Sequence, residues 1–359
     1  MINYGKQLIN DDDIKAVVKT LKSDFLTQGN KIEEFEKKIN LKFGGKNCAV
    51  LNSGTSALYL LGKALKWGKN DTIVTTPISF IASSNCIVNN GATPEFVDID
   101  EKTYSIDPNK LEEKVKRKKI KAVIAVDYAG HPCDWKSLKY LSIKYNFTLI
   151  NDACHSMGAQ YYLNKKYAIK YADFVTQSFH PVKAFTTGEG GSVISNNKKI
   201  IDEIKLMRSH SIIKKNKKTP WYYEIFSPGL NFRITDIQCA LGISQLKKLD
   251  NFISRRQKLA SIYLSELKNY GNKFILPHQR ENCKHAYHLF PIQVKFDKLK
   301  ISKKELFKKF LKKGINLQVH YIPIHLQPYY RKNFRIDRKL LRISEVFYKK
   351  EVSLPIFPG

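Results

Sequence analysis

Between about residues 46 and 195, short apolar runs alternate with longer segments of helical period, and few folds satisfy that order. The runs are Asn47–Leu51, Thr72–Thr75, Glu95–Asp98, Ala122–Val126, Thr148–Asn151, Asp173–Ser178 and Ser192–Ser195. The run AVIAV at 122–126 is apolar at every position, as a strand buried on both faces must be. The intervening segments Thr55–Lys66, Ser79–Asn89, Pro108–Lys116 and Asp134–Tyr145 predict helices. Such alternation predicts an α/β unit with a mostly parallel central sheet, because parallel neighbours need a crossover long enough to hold a helix. Functional groups then collect at the carboxyl ends of the strands and in the loops that follow.

From about Lys198 the pattern turns helical, with long helices expected over Ile234–Leu249 and Asn251–Tyr270. A strand near Tyr287–Lys295, a helix over Ser302–Lys313 and a strand over Asn316–His320 follow. The expected division is a large α/β unit over 23–247 and a small α+β unit made of 1–22 and 248–359, with helix Asp11–Lys22 completing the latter. The stretch IIKKNKKT, Ile212–Thr219, is the candidate mobile surface loop.

The charge balance is 62 Lys+Arg against 32 Asp+Glu, a formal +30, which favours contact with polyanions. The lysines are spread along the chain, in runs such as Lys114–Lys119, Lys214–Lys218 and Lys308–Lys313, and no nucleic-acid reading motif accompanies them. A lysine-rich surface that draws in anionic small substrates is expected, not a specific nucleic-acid binder. The apolar stretches fall far short of the roughly 20 residues of a membrane span. The opening MINYGKQLINDDD has no apolar leader core, so a cytoplasmic protein is expected. Cys48, Cys86, Cys133, Cys154, Cys239 and Cys283 form no C-x-x-C pair and no zinc spacing, and read as reduced thiols. His285 and His288 lie near Cys283 but lack a fourth ligand, so no metal site is expected.

Four segments carry chemistry when taken together. Asn52-Ser53-Gly54-Thr55-Ser56-Ala57 follows a strand and opens a helix; Thr55 and Ser56 are either part of an ordinary N-cap or hydroxyl donors to an anion at the helix start. Asp152, in INDACH, ends an apolar strand and is either a helix cap or a carboxylate in want of a cationic partner. Ser178, in SFH, ends another strand as a second phosphate donor, and Lys183 stands in the Thr- and Gly-rich loop SFHPVKAFTTGEGG. Phe80, in PISFIAS, offers a flat ring. A lysine for a Schiff base, a carboxylate for a ring nitrogen, an aromatic face and small hydroxyls for a phosphate are the requirements of pyridoxal 5′-phosphate.

The segments NSGTSAL, PISFIAS, DACHSMGA, SFHPVKAFTTGEGG and PGLNFRITDIQCALG resemble those of the DegT/StrS-type sugar-nucleotide aminotransferases, along nearly the whole chain. The resemblance implies the fold type I of PLP-dependent transferases, the aspartate-aminotransferase fold. It implies that Lys183 is the Schiff-base lysine, Asp152 the pyridinium partner, Phe80 the stacking ring and His155 its neighbour. Thr55, Ser56 and Ser178 would hold the phosphate, and Asn231 would reach it from the other subunit of a homodimer with shared sites. Leu26 and Thr27, with Gln28 and Gly29, and Arg233, His320 and Tyr321 are the candidates for the sugar nucleotide. For His320 and Tyr321 plain packing is the alternative, and for Arg233 a structural ion pair.

YGKQLINDDDIKAVVKTLKSDFLTQG and PWYYE resemble the branch that aminates the C4 keto group of a UDP-4-keto-6-deoxy-N-acetylhexosamine on the way to pseudaminic acid, with L-glutamate as donor. Amination of another 3-keto or 4-keto sugar nucleotide, of legionaminic, bacillosamine or perosamine type, is the alternative. A related dehydratase would carry His in place of Lys183, and a non-enzymatic regulator need not keep Lys183, Asp152, Phe80 and Asn231 together. The resemblance also implies a further helix after SLPIFPG, and small residues where YYLNKKYAIK stands after Gly158.

Overall fold

The computed structural model describes residues 1–214 and 219–359. Its centre is a seven-stranded sheet of β1 (Asn47–Leu51), β2 (Thr72–Thr75), β3 (Thr93–Phe96), β4 (Ala122–Val126), β5 (Thr148–Asp152), β6 (Phe174–Ser178) and β7 (Gly191–Ser195). The spatial order is β1-β7-β6-β5-β4-β2-β3. The pairs from β6 through β5, β4 and β2 to β3 are parallel, while β7 runs against both of its neighbours. The predicted α/β sheet is thus present, with β3 beginning two residues earlier than the apolar run suggests.

The helices are α1 (Asp11–Leu21), α2 (Asn30–Phe43), α3 (Gly54–Ala64), α4 (Ala82–Asn89), α5 (Pro108–Arg117), α6 (Trp135–Lys144), α7 (Tyr167–Tyr171), α8 (Lys198–Met207), α9 (Asp236–Lys247) and α10 (Leu249–Lys268). Successive strand residues point to opposite faces, so β4 sends Val123 and Ala125 to one core and Ala122 and Ile124 to the other. The first core adds Ile32, Phe35 and Ile39 from α2, Leu138 from α6 and Ile243 from α9. The second adds Leu58 and Leu61 from α3, Ile87 from α4 and Ile201 and Ile204 from α8. Each fully buried aliphatic side chain contributes about 1.5–3 kcal/mol against exposure, so the two helix layers hold the sheet, and with it the tips of its strands.

A second, three-stranded antiparallel sheet is made of β8 (Phe274–Ile275), β9 (Phe290–Val294) and β10 (Glu351–Leu354), with β9 central. Ala260 of α10 and Phe307 of helix Lys303–Lys312 pack on it. Buried Arg256 donates through Nη1 to the carbonyls of Tyr287, His288 and Ile356 at 3.3, 3.2 and 2.7 Å, which ties α10 to the loops beside this sheet. The first residues reach the same region: Ile2 N donates to Gly314 O at 2.7 Å, and Ile356 N to Tyr4 O at 3.1 Å. Helix α1 lies along α9, where its buried Asp13 accepts from Gln245 Nε2 at 2.7 Å and pairs with Lys248 at 2.6 Å.

Two local expectations are corrected. Asn316–His320 is not a strand; Gln318 makes one isolated bridge to Ser353. The ladder stops because the next free N–H, that of His320, donates at 3.0 Å to the side chain of Glu351 instead of to a strand carbonyl. Within the stretch read as a mobile loop, Ile212–Ile213 pairs with Glu224–Ile225 as a short ribbon, and residues 215–218 lie outside the described residues.

Candidate active site

The carboxyl tips of β1, β2, β4, β5 and β6 open on a cavity of about 1200 Å³. Thr55, Ser56, Phe80, Asp152, His155, Ser178, Lys183, His320 and Tyr321 all line it. At the end of β1, Ser53 caps α3 by accepting from Ser56 N at 3.0 Å, and Ser56 Oγ accepts from Ser53 N at 3.1 Å. Ser56 Oγ also donates to Asn52 Oδ1 at 2.7 Å, so this hydroxyl serves the cap, whereas Thr55 stands exposed at the rim. A Cβ on Gly54 would lie 2.8 Å from Ser178 Cβ. The absence of one lets the start of α3, with its positive dipole end, close on the tip of β6.

Asp152 is the last residue of β5 and is buried. Ser83 Oγ donates to its Oδ2 at 2.7 Å and Cys154 N to its Oδ1 at 3.2 Å. Ser79 Oγ lies 2.8 Å behind Ser83 Oγ. A carboxylate has about four acceptor positions, so Asp152 keeps capacity on its cavity side.

Lys183 enters from the loop between β6 and β7, which is tied at both ends. Phe179 N donates to Gly190 O at 2.8 Å and Thr187 N to Phe179 O at 3.0 Å. The buried threonines turn inward: Thr186 Oγ1 donates to Phe179 O at 2.9 Å and Thr187 Oγ1 to Glu189 O at 2.6 Å. Threonine in this loop therefore satisfies its backbone, a role the composition alone does not reveal. Burial lowers the pKa of the Lys183 amine, with Cys154 and Asp152 opposing that shift.

Over the opposite wall, His155 Nε2 lies 3.2 Å from Tyr321 OH and its Nδ1 is buried without a partner. Its ring stands 4.3 Å from that of His288, and burial together with Lys183 drives its pKa well down. Phe80 precedes α4 instead of beginning it, and its ring centroid lies 6.1 Å from that of Tyr321. Ser79, Ser83, His288 and Tyr4 also line the cavity and escape a sequence reading. The i, i+4 spacing of Ser79 and Ser83 was the one available signal; nothing in the spacing of His288 or Tyr4 marks them.

Leu26, Thr27, Asn231 and Arg233 are not among the residues lining this cavity. Leu26, Thr27 and Asn231 are exposed. The Leu26–Gly29 connection is held at the start of α9, where Asp236 N donates to Leu26 O at 3.0 Å and the Asp236 carboxylate accepts from Gly29 N at 2.8 Å. Asn231 bridges Ser209, and its Oδ1 accepts from Arg233 N at 3.3 Å. One chain therefore assembles nine of the thirteen sequence-derived residues around the cavity and leaves these four on its outside.

A planar phosphorylated pyridine suits this donor set. The glycine cradle at Gly54, the open side of Asp152, an amine with a lowered pKa and the unpartnered His155 Nδ1 leave unspent polar capacity around the cavity for such a group. Known proteins agree with the chemistry. Over 357 residues the chain is 40% identical to a UDP-4-amino-4,6-dideoxy-N-acetyl-beta-L-altrosamine transaminase of Campylobacter jejuni, covering 99% of this chain and 92% of that protein. The solved structure of Helicobacter pylori PseC, an aminotransferase involved in the biosynthesis of pseudoaminic acid, superposes with a TM-score of 0.91 at 35% identity, covering 100% of this chain and 94% of that one. Spr1654 from Streptococcus pneumoniae, solved in a PMP-form, gives 0.89 at 28% identity over 99% of this chain and 94% of its own. Residues 7–359 match the DegT/DnrJ/EryC1/StrS aminotransferase family, and the chain belongs to it as a PLP-dependent enzyme of the transaminase class.

Proposed function

We propose that this enzyme moves an amino group from L-glutamate to the C4 keto group of a UDP-4-keto-6-deoxy-N-acetylhexosamine, in the cytoplasmic route to pseudaminic acid. The names and 40% identity of its Campylobacter relatives support the sugar. The observation that carries the chemistry is Lys183, an amine with a lowered pKa in the same cavity as the carboxylate that ends β5. Among the described residues no helix is long and apolar enough to cross a membrane.

Bound pyridoxal 5′-phosphate supplies an electron sink and a temporary carrier for nitrogen. Lys183, uncharged, takes a proton at Nζ from the donor's α-carbon and returns one when the sugar is aminated. Asp152, fixed by Ser83 and the Cys154 amide, pairs with the ring nitrogen and keeps it protonated. Thr55 and Ser178 would hold the phosphate at the start of α3, where Ser56 would contribute by fixing the cap, and Phe80 and His155 would flank the ring. Asn231 reaches the phosphate of a second copy. Leu26, Thr27 and Arg233, with His320 and Tyr321, bind the sugar nucleotide. The exposure of Leu26, Thr27 and Asn231 on the single chain supports a homodimer with shared sites. The division into a cofactor-bearing unit of 23–247 and a small unit of 1–22 with 248–359 belongs to the same reading.

The test is the absorbance of purified protein beside Lys183→Ala, before and after glutamate. A visible cofactor band that glutamate bleaches and the variant lacks is expected, followed by its return on adding the UDP-4-keto sugar. Return only with a different keto sugar would move the substrate. A protein that stays colourless after soaking in pyridoxal 5′-phosphate would overturn the proposal.

A further inference from the structure

Behind the cavity lies a buried acid that the proposed amination does not use. Glu351, at the start of β10, is fully buried. Ser353 Oγ lies 2.6 Å from its Oε1. Ser353 Oγ lies 2.9 Å from His320 Nδ1. His320 N donates to Glu351 Oε2 at 3.0 Å, and Tyr128 OH donates to His320 O, so the histidine is held at its backbone on both sides. The imidazole lines the cavity, and its Nε2 makes no hydrogen bond among the described residues. The three side chains form an unbroken line from a closed interior to an open site.

We propose that Glu351 is a proton store joined through the Ser353 hydroxyl to His320, so that the imidazole gives or takes a proton at Nε2 without becoming a cation. Two states of the line share one geometry. With Glu351 ionised, the Ser353 hydroxyl donates to Oε1 and His320 Nδ1–H donates to Ser353 Oγ, which leaves the Nε2 lone pair facing the cavity. When a proton arrives on Nε2, the Nδ1 proton passes to Ser353 Oγ and the Ser353 proton passes to Oε1. Glu351 is then a neutral acid, Ser353 donates to Nδ1, and Nε2–H faces the cavity. Three protons each move one place, one charge is neutralised, and the ring is neutral in both states.

The surroundings favour this division of labour. Burial, with Lys183 adding to it, pushes His320 down to about 3, so a cationic ring is strongly disfavoured at neutral pH. Burial pushes Glu351 up to about 8, close to where a proton is both held and released. The groups whose charges bear on Glu351 are Lys303, from helix Lys303–Lys312, and Tyr104, Tyr128 and Tyr321. Lys303 is the one basic group among them, and its Nζ donates to Tyr348 O at 2.6 Å. The use of the store rests on the amination reading: the C4 oxygen must take a proton before it leaves as water, and Nε2–H supplies it.

The test is nitrogen NMR of the loaded enzyme labelled at histidine, with His320 assigned by its loss in His320→Gln. Between about pH 5 and 9.5 the His320 ring should stay neutral and change from the Nε2–H to the Nδ1–H tautomer as Glu351 ionises. Glu351→Gln, whose amide can donate to Ser353 as the acid does, should stay Nε2–H throughout. Ser353→Ala should abolish the transition, and Ser353→Thr should restore it. In single turnovers Ser353→Ala should slow amination of the keto sugar by about 10²-fold while leaving the glutamate half within about twofold. A wild-type tautomer that never changes, an imidazolium signal in this range, or the same transition in Glu351→Gln would each overturn the store. The wild-type titration needs only the His320→Gln spectrum for its assignment, and no sugar. If it behaves as described while no keto sugar is aminated, the store stands and the amination reading falls.

Discussion

Asp127 and Asp152 occupy equivalent places, one just past the tip of β4 and the other at the tip of its neighbour β5, yet their surroundings are opposite. Asp127 accepts from Cys133 N at 2.7 Å, Trp135 Nε1 at 3.0 Å, Asn151 Nδ2 at 3.2 Å, Ser156 Oγ at 2.8 Å and Tyr167 OH at 2.6 Å. Its lone pairs are spent, and it gathers α6, α7 and the loops beside β5 into one unit. Asp152 accepts from two donors and fronts the cavity. Residue type and strand end are shared, so what separates the two carboxylates is unspent hydrogen-bonding capacity, which Asp152 keeps and Asp127 does not.

That contrast can be broken from either side. The largest effect on rate is expected from Asp152→Asn, which keeps the shape and removes the charge: transaminase turnover should fall about 10³-fold or more, with circular dichroism unchanged. An active Asp152→Asn enzyme would erase the distinction. Asp127→Ala should do the reverse. It strands five donors in the interior, and a loss of about 3–5 kcal/mol should appear as a lower urea midpoint, while protein that remains folded keeps its half-reaction with glutamate. Gly54→Ala sharpens the comparison, since its Cβ meets Ser178 rather than Asp152. Retention of pyridoxal 5′-phosphate, read by fluorescence titration, should weaken about tenfold with the visible band of the bound fraction intact.

The smallest effect belongs to a third kind of carboxylate. Glu345 holds Arg338 through two bonds of 2.8 Å each, and that pairing pulls its pKa from 4.5 to about 2. Its folded-state pKa lies below the unfolded one, so the contribution is complete above pH 4.5 and is lost as the pH falls toward about 2. A slight thermal destabilisation of Arg338→Ala at neutral pH, narrowing in acid, is expected.

The sheet was readable because short runs with apolar centres alternate with helical segments, and because a strand buried on both faces must be apolar throughout, as β4 is. Lys183 and Asp152 stood out as candidates because Asp152 ends β5 and Lys183 lies in the loop that leaves β6. Ser83 and His288 did not: a serine on α4 shows no sign that it turns toward another strand's carboxylate 69 positions away. Asn316–His320 looked like a strand because its pattern is that of one, and only the side chain of Glu351, taking the place of a partner's carbonyl, ends the ladder. The same exchange hid the Glu351–Ser353–His320 line, whose members come from two segments that meet only in three dimensions. Leu26, Thr27, Asn231 and Arg233 carry the family's motifs, but their sequence does not say which side of the chain they will occupy.

One feature of the sheet reaches beyond the strands themselves. Because β7 runs backward, the chain that leaves β6 returns beside it, and Lys183 hangs from a span whose two ends are fastened to adjacent strands. The backbone can offer the amine almost no travel, so its working radius is that of a lysine side chain. On the proposed reading, the walls that meet the sugar are built elsewhere, from the loop around His320 and from Leu26 and Thr27 on the chain's exterior. A lineage of such enzymes can therefore change its sugar by rewriting those walls, with the anchored lysine passed on untouched.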